Sequence, residues 1–328
     1  MKFGMILTAP TIRGQMDMAA KADRAGFDSV WTIEFFNQHG LVRLAAVATA
    51  TRNVKVGTAI AYAFMRTPML AASAAMDIDE ISNGRMILGL GTGTKSMNER
   101  WYSMSFDGAP APRVKEAIGL VRAAFAARNG GGLNYSGNFY NVSIPQFSRP
   151  GAVRDIIPIY LAAVNKGMIR AAASVADGLV CHPIFTRKYI RETVNAALEG
   201  TSCQVMPYVI TSIHKDAARA RDEARNQIAF YYTTRLYHSV LVPHGWESIG
   251  EEIASAFKKG DFAAMSKAVP DEMVDAIALT GTPEEVRDKL SLWKELSDQI
   301  IFYSPSVGMK PERITENMEN IIDTFGES

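Results

Sequence analysis

Short apolar runs alternate with helix-patterned stretches from one end of this chain to the other. That alternation restricts the fold to parallel strands joined by helical crossovers. The runs are Lys2–Leu7, Ser29–Ile33, Val54–Ala61, Met86–Leu90, Ile157–Ala162, Gly178–Cys181, Val205–Ser212 and Gln299–Tyr303. Eight strands, each followed by a helix, is the number at which a parallel sheet closes on itself and loses its edges. The expected fold is therefore α/β, a (β/α)8 TIM barrel forming one domain over residues 1–328, with a doubly wound open sheet as the alternative. Two stretches interrupt the rhythm and read as insertions after strands 4 and 7: 129–154, an irregular excursion or small hairpin, and 237–281, with short helices around Trp246–Lys258 and Asp261–Val269.

Composition removes several functional classes. A formal charge of +1 with no basic tract gives no electrostatic case for nucleic acid. No apolar run approaches the roughly 20 residues that span a bilayer. The opening MKFGMILTAP turns polar too early for a signal sequence and reads as the first strand. Cys181 and Cys203 lack metal-ligand spacing, and no HxH, HExxH, CxxC or GxSxG occurs. Metal chemistry and a serine triad are disfavoured, and a reducing cytoplasm is the expected location. The first strand's exit, LTAPTIRGQ, lacks the GxGxxG dinucleotide fingerprint.

The most informative segment is RTPMLAASAAMDIDEISNGRMILGLGTGTKSMNE, residues 66–99. Met69, Leu70, Ala72, Ala75, Met76, Ile78 and Ile81 form an apolar stripe on a helix opened by Pro68 and closed at Ser82-Asn83-Gly84. The next strand is apolar on both faces and runs into Gly91-Thr92-Gly93, where backbone can approach a flat or phosphorylated ligand. Other strand exits carry Glu34 and His39, Tyr62, Asn98 and Glu99, Asn165-Lys166-Gly167-Met168, and His182-Pro183. Glu34 reads as a cap or as an acid touching cofactor or substrate, and His39 and His182 read as structural or proton-donating. Asn165, Lys166, Gly167 and Met168 open a helix whose free amides suit a phosphate. This aromatic, amide-rich lining suits a planar cofactor with a phosphate tail better than nucleophilic catalysis by the protein.

The same 66–99 segment closely resembles the signature of the bacterial luciferase-like superfamily: a proline-led helix, a D-x-(L/I)-S-x-G-R turn and a G-x-G-x-G strand exit. ADRAGFDSVW, NVKVGTAI and IPIYLAAVNKGMIRAAASVADGLV agree in the same order, so the resemblance covers nearly the whole chain. It implies a (β/α)8 barrel that binds coenzyme F420 or FMN at the strands' carboxyl ends. GLGTG followed by Asn-Glu is similar to the F420-dependent branch, which implies that Thr92, Gly93 and Asn98, with Gly91, contact the deazaflavin. The resemblance also implies a non-proline cis peptide at Ala59–Ile60 buttressing the ring. The family's Asp-His pair after strand two is Glu34-Phe35 here, and its acid after GTG is Thr94, so proton transfer would pass instead through Glu34, His39, Glu99 or Tyr62.

The expected function is an F420-dependent oxidoreductase moving a hydride to or from a small organic molecule, with Asn165 to Met168 and His182-Pro183 holding the phosphate tail. The alternatives are an FMN-dependent monooxygenase fed by a partner flavin reductase, and a catalytically silent flavin-binding protein. A homodimer is expected from the resemblance.

Overall fold

The structure, a computed structural model, describes residues 1–297 and 299–327. In chain order the strands are β1 (Lys2–Ile6), β2 (Ser29–Thr32), β3 (Lys55–Thr58), β4 (Ala61–Tyr62), β5 (Met86–Gly91), β6 (Leu133–Ser136), β7 (Asn141–Ile144), β8 (Ile159–Ala162), β9 (Gly178–Val180), β10 (Gln204–Met206), β11 (Tyr208–Ile213), β12 (Leu279–Gly281) and β13 (Gln299–Tyr303). The fold is α/β with parallel strands, and every run expected to be a strand contains one. Two runs are broken. Ala59–Ile60 is a cis bond that separates β3 from β4, as the resemblance implied, and Pro207 separates β10 from β11. The chain divides into two compact units, one of Ser29–Val180 and Gly200–Gln204, the other of Met1–Asp28, Cys181–Glu199 and the chain from Val205 onward.

In the first unit parallel strands run in the order β9-β8-β5-β3-β2, and β4 also pairs with β5. β5 is buried along its whole length, as an unbroken apolar run requires. Where β3 ends, the Thr58 hydroxyl takes over its ladder: Oγ1 donates to the Gly89 carbonyl at 2.6 Å and accepts from the Gly89 amide at 3.1 Å. Gly89 is required there, since a Cβ would lie 1.7 Å from the Thr58 carbonyl oxygen. The helix Pro68–Ile81 starts as predicted, capped by the Thr67 hydroxyl, and buries Ala72, Ala75, Met76 and Ile78. Leu70 and Ile81 fall off that stripe and are exposed. At the helix's end Asn83 and Gly84 have φ of 54° and 80°, and Arg85 binds the carbonyls of Ala48, Thr51, Val54 and Ser82. The turn thus fastens the end of the helix Gly40–Ala50 to the entrance of β5.

Residues 129–154 hold the antiparallel β6–β7 hairpin. Its tip is pinned by one carboxylate: Glu116 accepts from the amides of Asn138, Phe139 and Tyr140 at 2.7 to 3.0 Å.

In the second unit the parallel order is β1-β13-β11-β12. Phe3, Phe27, Phe302 and Phe325 pack one end of its core, the last two stacked at 4.3 Å. Thr282 and Glu285 form a capping box at the start of Pro283–Lys294. Asn317, fully buried on Pro311–Phe325, donates to the Thr211 carbonyl and the Ser304 hydroxyl and accepts from the Ile213 amide. It ties the ends of β11 and β13 together. Residues 237–281 contain the helices Glu247–Lys258, Phe262–Lys267 and Asp271–Ile277, and also β12, which sequence reasoning missed because three residues show no periodicity.

Candidate functional site

The exit of β5 is shaped by main-chain groups. Gly93 has φ of 65°, and a Cβ on it would meet the Asn98 amide nitrogen and the Tyr62 ring at 3.3 Å. Asn98, on the π-helical turn Met97–Trp101, is fully buried, and its Nδ2 donates to the carbonyls of Thr92 and Thr94, both at 2.9 Å. Two carbonyl partners fix which atom is the nitrogen, because only a donor can face them. Its Oδ1 is then a buried acceptor with no partner among the described residues. Such an orphan costs about 1 to 3 kcal/mol until a donor reaches it. The Thr92 hydroxyl donates to the Gly93 carbonyl at 3.0 Å, and the Thr94 hydroxyl accepts from the Met97 amide at 3.2 Å. Gly91 closes the strand with Ile60 packed where its Cβ would be, 2.8 Å away.

The cis-linked segment is gripped from one side. Glu34, leaving β2, accepts from the Tyr62 amide at 2.9 Å through Oε2 and pairs with Arg66 through Oε1. Arg66 in turn donates to the Tyr62 carbonyl at 3.0 Å. Both faces of the Tyr62 main chain are therefore held by one ion pair whose side chains are 5% and 11% exposed. Burial, with the Glu34 charge adding to it, pushes the neighbouring Tyr102 phenol above its ordinary value against the opposing pull of Arg66. Two of the other residues expected to move protons, His39 and Glu99, sit differently. His39 is exposed and caps Gly40–Ala50, its Nδ1 accepting from the Val42 amide. Glu99 is exposed and faces Lys95 at 3.6 Å.

Beyond β8, Asn165 caps the helix Lys166–Val175 and accepts from the Met168 amide at 3.0 Å. Lys166 and Gly167 are exposed at that N-terminus, whereas Met168 is buried. The helix's positive end and the Lys166 ammonium make this a place for an anion.

The second unit holds a constellation that sequence reasoning missed. His182 lies edge-on to Tyr231, with ring centroids 4.9 Å apart, and tilted against Tyr237 at 4.3 Å. The Tyr231 hydroxyl donates to the Tyr303 hydroxyl at 3.3 Å, and Tyr208 packs edge-on to Tyr303 at 5.1 Å. Burial pushes His182 down to about 3, so the ring is uncharged near neutrality and brings no positive charge to a phosphate. Pro183 beside it is buried. Burial also pushes Tyr237 up to about 12 and raises Tyr208, Tyr231 and Tyr303, so all four phenols keep their protons. The available signal was Tyr303, which closes the eighth predicted strand at its carboxyl end.

Among the described residues no group of His, Cys, Asp and Glu could hold a metal ion, and no helix is long and apolar enough to cross a membrane.

Comparison with known proteins adds a family to this geometry. The family model described as luciferase-like monooxygenase matches residues 1–299. An uncharacterized protein of Mycobacterium tuberculosis is 35% identical over 291 residues, covering 84% of each chain. The 5,10-methylenetetrahydromethanopterin reductase of Archaeoglobus fulgidus is 28% identical over 320 residues, covering 93% of this chain and 94% of that one. The structure of the coenzyme F420 dependent tetrahydromethanopterin reductase from Methanopyrus kandleri matches 99% of both chains with a TM-score of 0.79 at 24% identity, a likeness of fold.

Proposed function

The chain belongs to the luciferase-like monooxygenase family, and we propose that within it this protein is a coenzyme F420-dependent oxidoreductase that moves a hydride between the deazaflavin and a small organic substrate. The observation that carries this reading is the exit of β5: a glycine turn shaped by Asn98, which keeps one buried acceptor unpartnered. A flat ring bearing an N–H fits that acceptor, and the Methanopyrus reductase of like fold is named as dependent on coenzyme F420. The reading carries with it a single (β/α)8 barrel over residues 1–328, a homodimer and a cytoplasmic location.

When bound, the deazaflavin supplies a ring carbon that gives or takes the hydride. The protein's share is positional. Ala59 and Ile60 would support the ring, with the main chain beyond them held still by Glu34 and Arg66. Gly91, Thr92, Gly93 and Asn98 would hold the ring edge. Asn165, Lys166, Gly167 and Met168 would take the phosphate-bearing tail, Lys166 offsetting its charge.

The second reading, an FMN-dependent monooxygenase served by a flavin reductase, is favoured by the description of the matching family itself. Equilibrium titration of the purified protein with F420 and with FMN, followed by fluorescence, separates the two. Binding of F420 at least about tenfold tighter than FMN is expected, a gap of about 1.4 kcal/mol. Tight FMN binding with none for F420 overturns the deazaflavin reading. Bound F420 that exchanges no hydride with any carbonyl or alcohol marks a silent binding protein.

A further inference from the structure

We propose that His182, Tyr231, Tyr237 and Tyr303 form a substrate subsite that accepts an uncharged organic molecule through a carbonyl or hydroxyl oxygen and excludes anions. The inference rests on the oxidoreductase reading for what is done to the molecule, and on the second unit alone for what is bound.

The direction of the hydrogen bonds defines what the cluster offers. The His182 Nδ1 accepts from the Ile184 amide at 3.4 Å, which leaves the ring proton on Nε2. Tyr231 commits its proton to Tyr303. Tyr303 accepts from the Tyr231 hydroxyl, and the Tyr231 and Ser306 side chains each offset part of the upward push of burial on its phenol. Having accepted that bond, the Tyr303 hydroxyl still has its own proton to donate. Among the described residues the Tyr237 hydroxyl and His182 Nε2 have no hydrogen-bond partner, and neither is a sealed, orphaned atom. Both rings are half-buried, so both groups are open to a visitor. The cluster therefore presents N–H and O–H donors at Nε2 of His182, Tyr237 and Tyr303 beside aromatic faces.

Charge decides the class of molecule. Burial alone accounts for the shifts of His182 and Tyr237, and among the described residues the other groups acting on Tyr208 and Tyr231 are tyrosines of the same cluster. Among the described residues no cation acts on these rings, so a carboxylate or phosphate would lose its hydration there without a counter-charge. A carbonyl oxygen loses far less on entering, finds donors for its lone pairs, and lays its carbon skeleton against the rings. This assignment takes His182 away from the cofactor's phosphate tail.

Two ketones of the same skeleton test it: acetophenone and 4-acetylbenzoate, titrated into the purified protein by calorimetry without cofactor. Acetophenone is expected to bind at least about tenfold tighter than the carboxylate, and Tyr303→Phe and Tyr237→Phe each to weaken it about three- to tenfold, the worth of one neutral hydrogen bond. Because Tyr303 is buried and its variant could fold poorly, the half-buried Tyr237→Phe carries the test on its own. F420 affinity of both variants should equal that of the parent protein. Equal binding of the two ketones, no binding of acetophenone, or unchanged affinity in Tyr237→Phe overturns the subsite. Selective acetophenone binding in a protein that does not bind F420 leaves the subsite standing and removes the cofactor reading instead.

Discussion

The β5 exit and the tyrosine cluster are built on opposite plans. At the β5 exit the working groups are carbonyls, amides and the absence of Cβ atoms, and side chains such as Asn98, Glu34 and Arg66 hold that main chain in place. In the cluster the working groups are side-chain protons, and the main chain only carries them. A site of the first kind fixes a constant ligand, since little can change without moving the backbone. A site of the second kind can be retuned one hydroxyl at a time with the main chain left in place.

Substitutions should reveal this asymmetry. The largest effect is expected from Gly89→Ala, whose Cβ would meet a carbonyl oxygen at 1.7 Å; soluble folded protein should be lost, and a cooperative melt near the parent's would contradict the account. Next comes Glu34→Ala, which leaves Arg66 buried and unpaired. Denaturant unfolding should show a loss of about 3 kcal/mol or more, with partial recovery when Arg66 is replaced by Met in the same chain. A catalytic role for Glu34 without the brace would instead abolish turnover at unchanged stability. Asn98→Ala should cost about 1 to 2 kcal/mol of stability and about tenfold in cofactor affinity. Unchanged affinity would take Asn98 out of the site.

The cluster should answer to pH rather than to truncation. His182 is held at about 3 against an ordinary 6.5, so between these values the unfolded chain binds the proton that the folded one refuses. Its contribution is complete above 6.5 and declines as pH falls toward about 3, so the parent protein should lose more stability over that window than His182→Phe does. Parallel curves would mean that the ring is charged in the folded state. The smallest effect belongs to Tyr237→Phe, whose hydroxyl has no partner among the described residues. Its stability should stay within about 0.5 kcal/mol of the parent's, while acetophenone affinity falls.

The same contrast explains what could be read in advance. The glycine exit, the helix before it and the phosphate-suited turn at Asn165 are local, so contiguous residues announce them. The cis bond at Ala59–Ile60 was reachable only through the family resemblance, since neither residue type signals it. The tyrosine cluster joins His182 from a strand exit, Tyr231 from a helix end, Tyr237 from a 3-10 turn and Tyr303 from the end of β13, and a tyrosine closing an apolar strand looks like ordinary core. Glu34 stood at a strand end like a catalytic acid, but nothing local showed that Arg66, 32 residues on, would claim its carboxylate. β12 and the anchoring of the hairpin tip by Glu116 are likewise contacts at a distance.

The Arg85 turn separates two kinds of inheritance along β5. Its guanidinium reads carbonyls at the end of one helix and the start of the next strand, so it identifies an architecture and is blind to whatever binds six residues later. A loop exchanged between relatives at Thr92–Asn98, with Ser82–Gly91 left untouched, would transplant ligand preference onto an unaltered frame. The strand works as a spacer between the turn that fastens the frame and the loop proposed to meet the ligand.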